Sequence, residues 1–199
     1  MKIVLWSTAS FGFLFLITNV GYAKSDDASN DADKLFTGQT KKYGLVEETS
    51  DPFLGIPSEC IIIEMPVPNP PYTIIFDCAN RTKETASSPS ARSFEWDTLI
   101  YTATTSPSNG SSVNDIITFV PDDINNIGTS ELMAYKLLQT DYNSCFVLSK
   151  TSASYSSQNQ CYHWKKIEAK DSCPIKTEQT SSCDDAFDHC KLSSPISCK

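Results

Sequence analysis

The sequence predicts a mainly β protein, a single domain built as an eight-stranded antiparallel barrel with a short N-terminal helix and a C-terminal helix. Eight apolar segments recur at regular spacing between clusters of Pro, Ser, Asn and Gly, the pattern of short strands joined by turns. Acid-rich segments with helix-capping residues stand before and after them. The eight cysteines are an even number, as expected if disulfides staple the fold.

The predicted strands lie at 43–49, 59–67, 72–78, 93–105, 114–120, 132–140, 143–150 and 160–169. In the fourth strand, Phe94, Trp96 and Ile100 alternate with Glu95 and Asp97, so we expect the acids on a solvated face. Eight antiparallel strands can close around an interior that holds one small ligand, and closure removes the exposed sheet edges. A β-sandwich is the alternative.

Two segments predict the helices. ASNDADKLFTG (Ala28 to Gly38) offers Ser29 or Asn30 as an N-cap, acids in the first turn and a glycine stop. SSCDDAFDHCK (Ser181 to Lys191) offers Ser182 as a cap and again acids in its first turn.

The first 23 residues predict a secretory signal peptide. Lys2 precedes the apolar run FGFLFLI, and Gly21-Tyr22-Ala23 supplies small residues before a cut after Ala23. The apolar core is too short, and its flanks too polar, for a membrane anchor. Residues 24–199 are then one extracellular domain with a cysteine-dense tail over 170–199. The formal net charge is −8, and removing a leader with one lysine and no acid makes it −9. Such a chain repels nucleic acid and anionic membranes, so neither is an expected partner.

Covalent modification is predicted at two kinds of site. Up to four disulfides would join the cysteines, with the connectivity left open by the sequence. Those cysteines are Cys60, Cys78, Cys145, Cys161, Cys173, Cys183, Cys190 and Cys198. The sequons at Asn80 and Asn109 stand in turn-like surroundings and predict glycosylation of surface loops.

The residue types argue against an enzyme or a metal site. The chain has only two histidines and no hydrolase, metalloprotease or phosphate-binding motif. Cys161 with His163 would need a free thiol to act as a nucleophile. The same pair, or His189 with Cys190, lacks the usual zinc spacings, and oxidised cysteines cannot ligate as thiolates. We expect no catalytic residue, no metal and no cofactor.

The stretch QCYHWKK (Gln160 to Lys166) places Tyr162 and Trp164 on one face of a strand and Cys161 and His163 on the other. The two aromatic residues either pack a core or line a cavity, as large rings with polar tips do in ligand sites. The same alternatives apply to Phe94, Trp96, Tyr101 and Tyr135. Possible counter-ions for an amine are Glu64, Asp77, Glu95 and Asp97, although each is more typical of a solvated strand face than of a pocket.

Four segments together resemble a known family. DADKLFTGQTKKYGLVEETSDPFLGIPSEC (Asp31 to Cys60) combines an Asp-Ala helix start, a Tyr-x-Leu-Val strand and a cysteine in the second strand. AYKLLQTDYNSCFVL (Ala134 to Leu148) has paired late strands with Asp-Tyr at the hairpin and Cys-x-Val-Leu after it. QCYHWKK is similar to a Cys-Glu-Leu-Trp strand, and CDDAFDHC (Cys183 to Cys190) to a C-terminal Cys…Phe…Cys helix. In this order they resemble the tick salivary lipocalins, the histamine-binding protein family.

The resemblance implies a secreted lipocalin-type barrel that sequesters a small host mediator during blood feeding. A biogenic amine such as histamine or serotonin is the default ligand, and a lipid mediator or sterol (leukotriene, fatty acid, cholesterol) is the alternative. A third possibility is a scaffold with a vestigial cavity that acts on a host immune protein. The candidate ligand-binding residues are Asp31, Trp96, Tyr101, Tyr135, Tyr162 and Trp164.

The family's bridge pattern implies that Cys60 is tied to the C-terminal region and Cys145 to Cys173 or Cys183. Cys78 and Cys161 would then pair with the remaining tail cysteines.

Two departures from the family's amine-binding pattern bear on the ligand. Asp33 stands where those proteins have a tryptophan after Asp-Ala, although Lys34 matches the following basic residue. Tyr162 stands where their Cys-Glu-Leu-Trp strand has a pocket-facing glutamate. Losing that carboxylate removes a charge-assisted contact worth about 1.5–3 kcal/mol for an amine. This weakens the case for an amine and favours a larger or more lipophilic ligand.

Overall fold

The structure is a computed structural model that describes residues 30–37, 41–49, 51–58, 60–81, 94–122, 133–151, 159–168 and 180–192. The predicted signal peptide, Cys173 and Cys198 lie outside these residues. Within them, neither helix is long and apolar enough to cross a membrane.

Eight antiparallel strands pair in chain order, and the last closes on the first to make a barrel. The prediction of a barrel is confirmed, and the sandwich alternative is wrong. The strands are β1 (Lys41–Glu48), β2 (Cys60–Met65), β3 (Tyr72–Arg81), β4 (Phe94–Pro107), β5 (Asn114–Pro121), β6 (Met133–Thr140), β7 (Cys145–Lys150) and β8 (Cys161–Lys166). Helix α1 (Ala32–Phe36) precedes them, a 3-10 helix (Phe53–Gly55) joins β1 to β2, and helix α2 (Asp184–Leu192) follows.

The side chains of β4 face the opposite way from the sequence-based expectation. Leu99 and Tyr101 pack into the barrel core, whereas Ile100 is 48% exposed. Trp96 shares the face of Ile100, because β4 pairs with β3 without a register shift between these positions. The period of two was right and the assigned face was wrong, since barrel closure and not the local alternation decides which face turns inward.

Helix α1 covers one end of the barrel and is fastened there by Asp33. The Asp33 carboxylate accepts hydrogen bonds from Tyr72 Oη (2.8 Å), Thr105 Oγ1 (2.6 Å) and Asn114 Nδ2 (2.7 Å). These donors lie on β3, β4 and β5, so one side chain ties the helix to three strands. Burial opposes ionisation of Asp33, but the three hydrogen bonds outweigh it and hold its pKa below the usual value.

The N-cap of α1 is Asp31 and not Ser29 or Asn30. Its Oδ1 accepts the backbone N–H of Asp33 at 3.1 Å, and its own N–H donates to Tyr142 Oη at 2.9 Å. An aspartate is as good a cap as serine or asparagine, so the chain's fit to the barrel decides among the three.

The 3-10 helix enters the opposite end of the barrel. Phe53 and Leu54 from this helix belong to the main core, with 0% and 5% exposure. Leu54 lies in the left-handed region (φ 53, ψ 15), a conformation that a residue with a Cβ rarely adopts. Both barrel ends therefore carry a chain segment over or inside the opening.

Helix α2 packs on the outer face of β7 and β8 through two disulfides. Cys145 is bonded to Cys183 and Cys161 to Cys190, and the four half-cystines form a small second core with Val147 and Phe187. The family pattern implied a bond from Cys145 to Cys173 or Cys183, and the structure shows the bond to Cys183. At the start of this helix Asp184 accepts hydrogen bonds from Ser181 N at 2.7 Å and Ser181 Oγ at 3.1 Å. The hydroxyl of Ser182, the predicted cap, lies 3.8 Å from Cys145 Sγ.

The expectation of a disulfide at Cys78 is not met. Cys78 is a free thiol, 2% exposed, on the interior face of β3, whereas both described bridges lie outside the barrel. Burial first, and then the nearby carboxylates Asp77 and Asp97, raise its pKa to about 12. Cys60 is also buried, but it alternates with the core residues Ile61 and Ile63 and so faces away from the interior.

Candidate functional site

The centre of the barrel is a cluster of aromatic rings arranged around Phe53. Tyr135, Tyr162 and Trp164 surround it, with ring centroids 4.8, 5.1 and 4.9 Å from that of Phe53. Phe76 and Phe119 complete the surround at 5.6 and 5.9 Å. Most of these pairs meet edge to face or tilted, the arrangements aromatic rings prefer. We call the five rings around Phe53 the aromatic cage.

The cage brings together three of the six candidate ligand residues, and a fourth lies beside it. Tyr101 is buried and packs edge to face on Phe76 at 5.2 Å. Trp96 lies on the outward face of β4, where the reversed alternation places it. Asp31 lies at the α1 end and is engaged in capping that helix. The expectation that Trp96 shares a pocket with the other aromatic candidates does not agree with its position. Asp31 was expected near the mouth of the barrel, and it lies at the end that α1 covers.

Polar atoms inside the barrel are left without partners among the described residues. The hydroxyls of Tyr43 and Tyr162 and the indole N–H of Trp164 are buried with no hydrogen bond. Burial raises the pKa of the Tyr43 phenol to about 12 and that of Tyr162 further in the same direction. Unpaired buried polar groups each cost free energy. The interior therefore offers a ligand hydrogen-bonding groups at no cost in existing protein contacts.

Glu48 supplies a carboxylate beside the cage, which sequence reasoning missed. It pairs directly with Tyr162 across β1 and β8, so the two residues lie on the same side of the sheet. Its Oε2 accepts the backbone N–H of Phe53 at 3.1 Å. Glu48 lies at the opening of the barrel with much of its side chain exposed. Its partial burial still raises its pKa, and the hydrogen bond from Phe53 lowers it by less.

A bulge explains why Glu48 was missed. Leu45 packs against the core, and simple alternation would turn Glu47 inward and Glu48 outward. The register between β1 and β8 shifts between Leu45 and Glu47, which reverses that order. Glu47 instead lies 3.7 Å from Lys191 Nζ of α2, outside the barrel. No sequence signal marks the bulge.

The four acids that the sequence offered as amine counter-ions differ in their surroundings, and none is among the described contacts of the cage. Glu64 Oε2 forms an ion pair with Lys42 at 2.9 Å. Asp77 is buried outside the interior and accepts a hydrogen bond from Thr98 at 2.8 Å. Asp97 pairs directly with the interior residue Cys78, so it lies on the inward side of β4, where it is exposed at the same end of the barrel as the 3-10 helix. Glu95 lies in β4, and its side chain is not among those described.

His163 lies on the outer face of β8 under α2. Its ring stacks on Phe187 at 5.4 Å, and its Nε2 lies 3.5 Å from Asp184 Oδ1. Burial lowers its pKa, and the neighbouring Lys165 lowers it further against the opposing effect of the acids. Over the described part of the chain, no cluster of His, Cys, Asp and Glu suits a metal ion. The Cys161 thiol that a nucleophile would need is oxidised.

The two sequons differ in their surroundings. Asn109 is exposed in the turn between β4 and β5, as expected for a glycosylated loop. Asn80 lies in β3 and pairs with Glu95, so it stands in a strand and not in the loop that its sequence context predicts.

The comparison with protein families identifies the chain. A family model described as tick histamine binding protein matches residues 22–197. The chain belongs to the tick histamine-binding protein family. The suspected resemblance to the tick salivary lipocalins is thereby confirmed, and it covers nearly the whole of the 199 residues. A comparison with curated proteins gives no match.

Membership supports a small-ligand binding protein of the lipocalin kind. The tick histamine-binding proteins are a family of binders and not of enzymes, which agrees with the prediction of a non-catalytic protein. The family is extracellular, and the two disulfides on the outer face of the barrel are consistent with an oxidising compartment.

Proposed function

We propose that this protein is a secreted salivary binder that sequesters a biogenic amine, such as histamine or serotonin, and so counters host defence during blood feeding. The observation that carries the proposal is the convergence of the aromatic cage with the Glu48 carboxylate. Aromatic faces attract a cation, and more strongly when water is excluded. A carboxylate adds a charge-assisted hydrogen bond to an ammonium group.

Glu48 also bears on the substitution at Tyr162. The family's amine-binding pattern has a carboxylate at this position of β8, and here the carboxylate stands directly opposite on β1. A carboxylate that can pair with an ammonium group therefore lies at the same level of the barrel as Tyr162. The proposed ligand contacts are Glu48, Tyr135, Tyr162 and Trp164. Tyr101 packs on Phe76 and so supports the cage from beside it.

Isothermal titration calorimetry with histamine, serotonin, leukotriene C4 and cholesterol tests the proposal. We expect heat from an amine, and about tenfold weaker amine binding by Glu48→Gln, which keeps the shape and removes the charge. Glu64→Gln is the matched control, because Glu64 is paired with Lys42 outside the interior, and it should bind as the native protein does. Binding of leukotriene or cholesterol alone would replace the amine with a lipid or sterol as ligand.

A second candidate function is favoured by the filled barrel. Phe53 occupies the centre of the cage, as expected of a scaffold that acts on a host immune protein through its outer surface. A pull-down from host plasma with the native protein tests this candidate. Specific capture of one plasma protein, together with no heat from any of the four small molecules, would favour it over sequestration.

A further inference from the structure

Phe53 occupies the proposed site and contacts it through two groups, its ring and its backbone nitrogen. Its ring lies in the aromatic cage, 4.8–5.9 Å from five other ring centroids. Its backbone nitrogen donates to Glu48 Oε2 at 3.1 Å. Within one residue, an aromatic ring and a nitrogen donor thus contact the two features that suit an amine ligand.

The covalent structure of phenylalanine sets the distance between these two contacts. Two carbon atoms, Cβ and Cα, separate the ring from the backbone nitrogen, as they do in 2-phenylethylamine and other arylethylamines. We propose that Phe53 is an internal stand-in for an arylethylamine ligand, which binds by displacing the 51–58 segment and placing its ring in the cage and its ammonium group on Glu48. The inference rests on the proposed function, whose amines histamine and serotonin already have this two-carbon spacing, and it adds the displacement of Phe53 as the means of entry.

Besides the bond to Glu48, three side chains fasten the 51–58 segment to the barrel. Leu54 N donates to Tyr135 Oη at 3.1 Å, and Asp51 accepts a hydrogen bond from Gln160 Nε2. Ser58 Oγ lies 2.8 Å from the carbonyl oxygens of Cys60 and Ala79, so this end of the segment stays in place when Phe53 and Leu54 are displaced. The left-handed conformation of Leu54 is strained, and displacement would relieve it. An ammonium group binds a carboxylate more strongly than the neutral Phe53 amide does.

The cage also holds hydrogen-bonding groups that a phenyl ring leaves unused. Tyr162 Oη and Trp164 Nε1 are buried and have no partner within the described residues. The indole N–H can only donate, whereas the phenol can donate or accept. A ligand ring that carries a hydroxyl or a ring nitrogen would satisfy them, so tyramine should bind more tightly than 2-phenylethylamine.

Calorimetry with a series of amines tests the spacing. The probes are benzylamine, 2-phenylethylamine, 3-phenylpropylamine and tyramine, which differ in the number of carbons or in the ring hydroxyl. We expect the two-carbon amines to bind most tightly and Phe53→Ala to strengthen their binding by about tenfold or more, because it removes the internal competitor. Phe36→Ala is the matched control. It deletes an equally large buried ring that packs on Tyr72 beside α1, and it should leave amine affinity unchanged.

Hydrogen exchange on the native protein tests displacement independently of whether Phe53→Ala folds. Saturating tyramine should speed exchange of the Phe53 and Leu54 amides, whose hydrogen bonds to Glu48 and Tyr135 are lost, while the strands stay protected. Amine binding with these two amides still protected would overturn the inference and leave the proposed function standing. Loss of any preference for the two-carbon spacing would also overturn it. No amine binding by either protein would overturn the proposed function and the inference together.

Discussion

Glu48 and Tyr162 lie directly opposite each other on β1 and β8, at the level where the family's amine-binding pattern has a carboxylate on β8. The pattern leads one to look for a carboxylate on β8, and Tyr162 there argues against an amine. The carboxylate lies on β1, directly opposite. A bulge at Leu45–Glu47 turns it toward the cage, and such a bulge depends on cross-strand pairing that no local sequence window contains.

The raised pKa of Glu48 predicts a pH dependence of amine binding. An ammonium ligand requires the ionised carboxylate, so affinity should fall as pH drops through the folded-state pKa. Partial burial places that pKa above the usual 4.5, so the fall begins at a higher pH than for a glutamate with the usual pKa. Titrations between about pH 7 and pH 4 measure it. Glu48→Gln should bind more weakly and show no such fall, and an equal fall in that variant would contradict the assignment.

Asp33 departs from the family's pattern, and its contacts predict that it contributes to the stability of the fold. Asp33→Ala removes three hydrogen bonds to an ionised acceptor and should lower the free energy of unfolding by about 2 kcal/mol, since the group is partly exposed. Because its folded-state pKa is lowered, this contribution is present above the usual 3.8 and is lost as pH falls through the folded-state value. Urea unfolding at pH 7 and pH 3 measures both effects.

Asp185→Ala is the control for Asp33. Asp185 is an exposed acid in the first turn of α2, so its loss should change the free energy of unfolding by less than about 0.5 kcal/mol. Equal effects of the two substitutions would show that the Asp33 contacts do not fasten α1.

At the scale of elements, the strands followed from the sequence more fully than the segments between them. The observed bounds of all eight strands agree with the predicted ones within a few residues. The short 3-10 helix was not predicted, because its three residues carry no periodicity and its two core residues, Phe53 and Leu54, belong to a connection. Its entry into the barrel depends on a surrounding cage of five rings that come from four strands, β3, β5, β6 and β8.

The position of α2 and its disulfides predicts that removing a bridge lowers the stability of the protein but leaves its amine affinity nearly unchanged. Replacing Cys145 and Cys183 with serine should lower the free energy of unfolding by about 2–4 kcal/mol, because the bridge restricts the unfolded chain. The bridge lies on the outer face of β7, away from Phe53, so amine affinity should change by less than about twofold. Urea unfolding and calorimetry on the same variant check both parts. A large loss of affinity would place α2 in the binding mechanism.

At the scale of the whole molecule, the barrel separates an aromatic interior, which we propose as the ligand site, from an exterior that carries the disulfides. The described bridges and the Asn109 sequon are outside, while the cage, Glu48 and the Cys78 thiol are inside or at the opening. The even cysteine count pointed to bridges throughout, but only the sheet pairing shows that the side chain of Cys78 faces inward.

The buried position of Cys78 predicts an unreactive thiol. The side chain is 2% exposed and its pKa is raised to about 12, so little thiolate is present at neutral pH. A thiol reagent should modify Cys78 only after unfolding in urea. The Cys78→Ser variant should therefore lose one reactive thiol in the denatured protein and none in the folded protein. Rapid modification of Cys78 in the folded state would contradict its burial.

The sequence by itself determined the barrel, the order of its strands, the two helices and the family, because these rest on local periodicity, turn residues and ordered motifs. Only the tertiary structure decided which face of β4 turns inward, that the Glu48 carboxylate lies directly opposite Tyr162, and that Phe53 fills the cage. These features depend on barrel closure and cross-strand register, which join residues far apart in the chain. A shift of one residue in that register exchanges the interior and exterior faces of a strand.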